Sequence, residues 1–394
     1  MHHSTRGQLM RCARHEKRGT SWHVLPARAT LRRATSLVAL GLSAFAALSV
    51  GAVSASAQAP VTGSATSTAE TGMKYFSTGA STTIRVTLSG AAFTVDDEVP
   101  ITPGTGCSAV AGDATKVTCV AFKQSTQFKQ FFVDAETGDD TVINATTTSG
   151  VTGAPMRAIG DGGADVLVGA DQVNDLLEGL SGADTLRGGN ETTGGNVHDV
   201  LKGGAGNDKL EGGRGRDRLE GGTQIDHLDG GDDADTLDGG AHADVVDGGL
   251  ADSGGFFSED IVIYDRLAPV RVDLRRLDAS QGEVGENDTI VRVENVRGGD
   301  GNDTLIANAE NNDLIGGLGN DVLSGREGRD TLLGQEGDDF LFPSPETSFI
   351  GVIPDGVPDI MDCGEDDDDA DSDFAFRVLS DGDLVNKCEQ AFGL

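Results

Sequence analysis

The sequence predicts an all-β protein whose body is a stack of short, near-identical strands. Three observations carry that expectation: a nine-residue unit recurs, glycine fills 57 of 394 positions, and aromatic residues make up only 5%. From Gly203 the chain reads GGAGNDKLE, GGRGRDRLE, GGTQIDHLD, GGDDADTLD and GGAHADVVD. Asp208, Asp217, Asp226, Asp235 and Asp244 share one slot, and Leu210, Leu219, Leu228, Leu237 and Val246 follow two residues later. The period returns from Gly298 as GGDGNDTLI, ANAENNDLI, GGLGNDVLS, GREGRDTLL and GQEGDDFLF, with Asp303, Asp321, Asp330 and Asp339 in the slot. Looser copies lead in, carrying Asp140, Asp165, Asp175, Asp184 and Asp199, with an insertion around Glu191–Asn196.

The residue types explain the unit. Two glycines open it, where the chain must turn through conformations a Cβ opposes. The aspartate at the sixth position supplies a hard oxygen ligand at the end of the turn. The last three residues alternate outward, inward, outward as a minimal strand and bury only the eighth. One such strand builds no core, but stacked copies about 4.8 Å apart make a continuous apolar ladder.

The string GGxGxDxUx resembles the RTX, or haemolysin-type calcium-binding, repeat. The resemblance implies a right-handed parallel β-roll with two nonapeptides per coil, so that turns align with turns eighteen residues away. It places Asp208 beside Asp226, Asp217 beside Asp235, Asp226 beside Asp244, Asp303 beside Asp321 and Asp321 beside Asp339. Several calcium ions would then sit between stacked turns, each held by two carboxylates and backbone carbonyls, the hard-oxygen set calcium prefers. The expected metal ligands are Asp165, Asp175, Asp184, Asp199, Asp208, Asp217, Asp226, Asp235, Asp244, Asp303, Asp321, Asp330 and Asp339. Three units depart from the pattern by placing Gln224, Asp233 and His242 at the fourth-position glycine, and Asn312 replaces one ligand aspartate. Weaker sites are expected beside Gln224, His242 and Asn312.

The leader predicts export. Arg28, Arg32 and Arg33 precede an apolar run from Leu37 to Val53 and then Ala55-Ser56-Ala57, the pattern of a signal peptide ending at Ala57. The run is rich in Ala, Ser and Gly, so no membrane span is expected in the mature chain. The leader holds 8 of 30 Lys and Arg but 1 of 64 Asp and Glu, leaving 22 basic against 63 acidic residues. A chain so acidic repels nucleic acid and itself, and resembles a disordered composition unless cations neutralise it.

The flanks differ in texture. Residues 58–135 are rich in Ser, Thr, Val and Phe, and Thr83–Leu88, Ala92–Val95 and Phe131–Val133 predict strands of a small N-terminal β cap. Phe76, Phe93, Phe122, Phe128, Phe131 and Phe132 are expected to pack its core. In the stretch 248–297, Asp260–Ile263 keeps the repeat slot, while Val270, Val272 and Leu274, then Ile290, Val293 and Val296, mark further extended segments. The ending ENVRGGDGNDTLI resembles the re-entry sequence of RTX proteins. Arg271, Arg275, Arg276 and Arg292 are expected to balance local acidity.

Four cysteines follow the leader, and an even number in an exported chain favours disulfides. The sequence-local pairing is Cys107 with Cys119 and Cys363 with Cys388, though spacing leaves two other connectivities open. The tail from Pro354 is expected to form a disulfide-closed segment, with Asp355, Asp359 and Asp362 as a further calcium candidate and Glu365–Asp373 as a solvated acidic loop.

Catalysis finds little purchase. The sequence holds no HExxH, GxSxG or GxxxxGK[ST] motif, and His198, His227 and His242 all fall inside repeat units. The expectation is a non-enzymatic, secreted, calcium-binding protein, extracellular or at the cell surface. The alternatives are a calcium-stiffened adhesin whose cap binds a cell-surface or matrix component, and a hydrolase with its site in that cap. The expected order is signal peptide 1–57, cap 58–135, first repeat block 136–247, inserted extended segment 248–297, second block 298–342 and acidic closing segment 343–394.

Overall fold

The computed structural model describes residues 62–79, 81–124, 127–147, 153–190, 197–250, 259–278, 280–342, 360–363, 374–377, 384–386, 388 and 390–393. The signal peptide, the Glu191–Asn196 insertion, Asp355, Asp359 and the Glu365–Asp373 loop lie outside them.

Every described element is a β-strand. In the first repeat block, successive strands alternate between two sheets. Val200–Ala205, Arg218–Thr223 and Thr236–Ala241 enter a fifteen-stranded sheet, and Lys209–Arg214, His227–Asp232 and Val245–Gly249 enter an eleven-stranded one. All pair in parallel with an eighteen-residue register, Leu201 opposite Leu219 opposite Leu237, and Leu210 opposite Leu228 opposite Val246. Two nonapeptides therefore make one coil, and the chain is a parallel β-roll. The leucine ladders meet in the middle, fully buried from Leu201 to Leu237.

The strands are longer than the three residues the repeat suggests. Lys209–Arg214 runs six residues, with Leu210 and Gly212 inward and the others outward or half-buried. The second inward position is the first glycine of the next unit. Its backbone φ is not left-handed, so conformational freedom is not the reason for glycine there. A Cβ on Gly203 would stand 2.4 Å from Asp208 Oδ2 and 2.7 Å from the Gly221 carbonyl oxygen. The second glycine does need the left-handed region, with φ of 108° at Gly204 and 107° at Gly213.

Both sheets continue past the repeats toward the N-terminus. Gly72–Phe76 pairs in parallel with Phe131–Asp134, and Thr83–Ser89 with Thr141–Ala145. Antiparallel hairpins then extend each sheet: Gly63–Thr68 with Gly72–Phe76, beyond which Ile101–Pro103 adds in parallel, and Thr83–Ser89 with Ala92–Asp96, which pairs in turn with Asp113–Val120. Here the core widens to Met73, Tyr75, Phe93, Phe128, Phe131 and Met156. Phe93 contacts Phe131 at 5.3 Å and Phe128 at 6.4 Å between ring centroids. Phe76 and Phe132 pair at 5.6 Å, half-buried rather than in the core.

Within 248–297 three strands hold roll positions. Ile261–Ile263 follows Thr236–Ala241, Thr289–Val291 follows Val245–Gly249, and Asn295–Arg297 follows Ile261–Ile263. The eleven-stranded sheet ends at Thr289–Val291. A third, seven-stranded sheet opens with Val270–Asp273, which pairs antiparallel with Gly282–Glu283 and parallel with Thr304–Ile306. The fifteen-stranded sheet spans both blocks, so one face of the roll is continuous and the other changes sheet. Arg275 pairs with Asp273, Arg276 with Asp278 and Arg292 with Asp247, so three of the four arginines meet acids inside or beside this segment.

Cys107 is bonded to Cys119 across the antiparallel pair Cys107–Val110 and Asp113–Val120. Cys363 is bonded to Cys388.

Candidate metal centre

The turns between strands bring the sixth-position residues into two stacked files. Each slot aspartate donates its backbone N–H to the Oδ1 of the slot residue one coil on. Along one edge, Asp140 donates to Asp165, Asp165 to Asp184, Asp184 to Asp208, Asp208 to Asp226 and Asp226 to Asp244, all at 2.8 Å, and Asp244 to Asp288 at 2.9 Å. Along the other, Asp175 donates to Asp199 at 2.7 Å, then Asp199 to Asp217, Asp217 to Asp235 and Asp235 to Asp260 at 2.8 Å, and Asp260 to Glu294 at 3.1 Å. Asp303, Asp321 and Asp339 form a shorter file beside the third sheet.

Sequence separations along a file range from 18 to 44 residues, yet the rung geometry holds. Insertions are thus absorbed in the turns, where backbone can bulge without breaking the ladder.

Twelve of the thirteen aspartates expected from the sequence stand in these files, the thirteenth, Asp330, accepts the Asn312 N–H through Oδ1 at 2.9 Å, and Asp208 pairs with Asp226 as eighteen-residue stacking requires. Four slot residues were not among those expected ligands: Asp140, Asp260, Asp288 and Glu294. Asp288-Thr289-Ile290 repeats the D-x-U signature without its glycines and was legible; Glu294 carries no such signal. At the neutral rung, Asn312 Nδ2 donates to the Glu294 carbonyl at 2.6 Å, a bond an aspartate could not make.

The second carboxylate oxygen is the informative atom. Oδ2 of Asp140, Asp165, Asp184, Asp208, Asp226, Asp235, Asp244 and Asp321 is buried and meets no hydrogen-bond partner among the described residues. Burying an anionic oxygen unpaired costs free energy that native structures avoid. In successive units Oδ2 and the carbonyl oxygen of a glycine one coil on border the same space beside the unit's first glycine: Asp208 with Gly221, Asp217 with Gly230, Asp226 with Gly239 and Asp235 with Gly248. Each such pair outlines a cradle of hard, anionic oxygen that a Cβ on the unit's first glycine would fill. Among the described residues no three Asp, Glu, His or Cys side chains converge, so carbonyls and water would complete any coordination shell. That donor set suits calcium and not zinc or copper, which take nitrogen and sulfur.

Burial raises the carboxyls. Loss of water lifts Asp235 to about 9, Asp244 to about 8, Asp165, Asp226 and Asp321 to about 7, and Asp184 to about 6, with neighbouring slot carboxylates adding to the rise in each. A bound dication would reverse this, because opposite charge favours the ionised form.

The first file ends differently. Asp288 Oδ2 accepts the Tyr264 hydroxyl at 2.9 Å, and Tyr264 is buried. Arg266 lies over the Tyr264 ring, donates to Glu286 and to the Gly240 carbonyl, and stands 3.6 Å from Asp238 and Glu283. The three atoms nearest a Cβ at Gly239 all belong to Asp244. Here the protein supplies its own cation where the file stops.

At the fourth position Gln224, Asp233 and His242 hold φ of 80°, 79° and 94°, the positive-φ region that Gly206 and Gly215 occupy in the two preceding units. Each costs backbone strain that the stacked turns must hold in place.

A roll of parallel strands with aspartate-lined turns defines a calcium-binding repeat architecture. The family model of the RTX calcium-binding nonapeptide repeat (4 copies) matches residues 170–191, 193–228, 220–252, 293–323 and 315–343. Over these residues the chain carries RTX, or haemolysin-type, calcium-binding repeats. No curated protein matches it.

Proposed function

We propose that this is a secreted protein whose roll folds on binding several calcium ions outside the cell. The repeats are of the calcium-binding kind, and the row of buried, unpartnered Oδ2 atoms carries the reading. The thirteen aspartates of the repeats, with Asp140 and Asp260, are the proposed ligands, together with glycine carbonyls of the stacked turns.

The chemistry is neutralisation coupled to folding. In the unfolded chain the carboxylates are hydrated and far apart. In the roll they stack at one-coil spacing, where repulsion and desolvation oppose folding until a cation replaces the lost water. The binding site does not exist before the fold, so binding free energy appears as folding free energy. Sites of extracellular affinity, about 10⁻⁴–10⁻³ M, stay empty in cytosolic calcium and fill outside. Two disulfides and the leader favour an oxidising destination.

Calorimetric calcium titration of chelator-treated protein, followed in parallel by circular dichroism, tests this. Uptake of several ions with a cooperative gain of β signal is expected. A roll fully formed in chelator, or no binding at millimolar calcium, would overturn it.

A further inference from the structure

The N-terminal end of the first file holds a group of oxygens that the nonapeptide pattern does not account for. The file's first rung is Asp140, whose Oδ1 accepts from Thr82 N–H at 2.7 Å and whose Oδ2 has no partner. Ser77 Oγ and Thr82 Oγ1 are likewise buried without a hydrogen-bond partner among the described residues. Outside the repeat carboxylates, unpartnered buried hydroxyls are rare in this structure, and two of them fall here.

A second carboxylate completes the group. Asp97 leaves the hairpin strand Ala92–Asp96 and is buried at 4% exposure. Its Oδ1 accepts from Glu98 N–H at 2.6 Å and its Oδ2 from the Tyr75 hydroxyl. Asp97 and Asp140 lie close enough to repel each other, Thr82 Oγ1 lies beside both, and Ser77 Oγ lies beside the Tyr75 phenol. Among the described residues no Lys or Arg forms an ion pair with either carboxylate. Two anions buried together without a counter-charge are strongly unfavourable. Burial holds both carboxyls above their ordinary range.

We infer that Asp97, Ser77, Thr82 and Tyr75 join Asp140, the first rung of the file, in an additional site for a hard divalent cation, calcium by its donor set. Every donor is oxygen and two are carboxylates, the set that calcium prefers. Tyr75 lies on the strand Gly72–Phe76, Ser77, Thr82 and Asp97 flank the ends of hairpin strands, and Asp140 lies in the turn before Thr141–Ala145. The site lies outside the residues that match the repeat family. An ion there would tie the N-terminal hairpins to the first coil, so its occupancy would set whether the roll's open end is closed. The inference stands whether or not the repeat cradles fill.

Tyr75 provides the readout, because the chain has only two tyrosines and one tryptophan. In the full chain carrying Trp22→Phe and Tyr264→Phe, Tyr75 is the one indole or phenol left to sensitise terbium(III), a hard-oxygen surrogate for calcium. Terbium emission excited through Tyr75 and displaced by calcium is expected; its absence at saturating terbium would overturn the site and leave a hydrated pocket. Adding Asp97→Asn should abolish the emission while the calcium-dependent circular dichroism of the repeats persists. Emission unchanged by Asp97→Asn would place the ion on the repeat rungs and overturn the inference. Should Asp97→Asn lose the dichroism too, Ser77→Ala and Thr82→Val decide. A terbium midpoint raised severalfold supports the site, and an unchanged midpoint refutes it.

Discussion

At the scale of the residue, the repeat is a device for holding one carboxylate oxygen open. Oδ1 is consumed by the backbone N–H of the preceding coil, which fixes the side-chain rotamer, and Oδ2 is left beside the unit's first glycine, where a glycine carbonyl of the next coil also lies. Asp226→Asn removes the charge of one rung while keeping its shape. Calcium binding should lose about one ion, or weaken at that rung by about tenfold, since ligand charge sets calcium affinity. Calorimetric titration against the parent protein measures it, and an unchanged isotherm would show that Asp226 holds no metal. Gly203→Ala tests the facing wall. Its Cβ would meet Asp208 Oδ2 at 2.4 Å and the backbone oxygen of Gly221 at 2.7 Å. The Gly221 oxygen belongs to the ladder and cannot swing aside, so the melting temperature in calcium should fall, by roughly 1–3 kcal/mol of stability.

At the scale of the element, the excursion between Ile261–Ile263 and Thr289–Val291 explains how one roll contains two repeat blocks. The chain leaves the fifteen-stranded sheet after Ile261–Ile263, opens the third sheet with the hairpin of Val270–Asp273 and Gly282–Glu283, and returns to add Thr289–Val291 as the last strand of the eleven-stranded sheet. Arg266 and Tyr264 close the abandoned edge with a guanidinium and a hydroxyl. Arg266→Gln leaves Glu286 and its acidic neighbours buried without their cation. Breaking such a pair should cost roughly 2–4 kcal/mol, read as a lower melting temperature even in saturating calcium. If stability were unchanged, the arginine would be a surface partner and no plug. The N-terminal disulfide acts on another element: reducing Cys107–Cys119 reopens a loop of sequence separation 12. The chain-entropy model gives such a closure about 3 kcal/mol, and a melt with and without reductant checks it.

At the scale of the whole molecule, the files make folding a question of charge. For the metal-free roll the sign follows from burial. Asp235, Asp244, Asp226 and Asp184 have folded values of about 9, 8, 7 and 6, all above the usual 3.9 of an unfolded aspartate. A group raised in this way binds its proton more tightly when folded. Its contribution is fully present below about pH 4 and is lost as pH climbs through about 6–9. Chelator-treated protein should therefore gain β signal on acidification from pH 8 to pH 5. Calcium should do the opposite, binding more tightly as pH rises, with proton release on binding near neutrality. Circular dichroism across that range, with calcium and with chelator, reads both effects; a metal-free roll more stable at pH 8 than at pH 5 would contradict the argument.

The sequence by itself determined the repeat, its period, the outward and inward faces of its strands and the ligand chemistry. A nonapeptide cannot bury its leucine except against a copy of itself, so periodicity alone dictates stacking. The same logic made Asp208, Asp226 and Asp244 neighbours before any coordinate was known, and charge balance assigned most of the arginines of the excursion to nearby acids. What only the tertiary structure decided lies where spacing departs from the period. Asp288 joins Asp244 across 44 residues, Glu294 takes an aspartate's place, and Asp97, at the end of a hairpin strand, comes within electrostatic reach of Asp140. The first glycine of each unit also acquired a different reason: its turn does not demand it, but the carboxylate beside it does. Local chemistry is written in the repeat, whereas loops of any length close on the same rung because closure entropy grows only slowly with length.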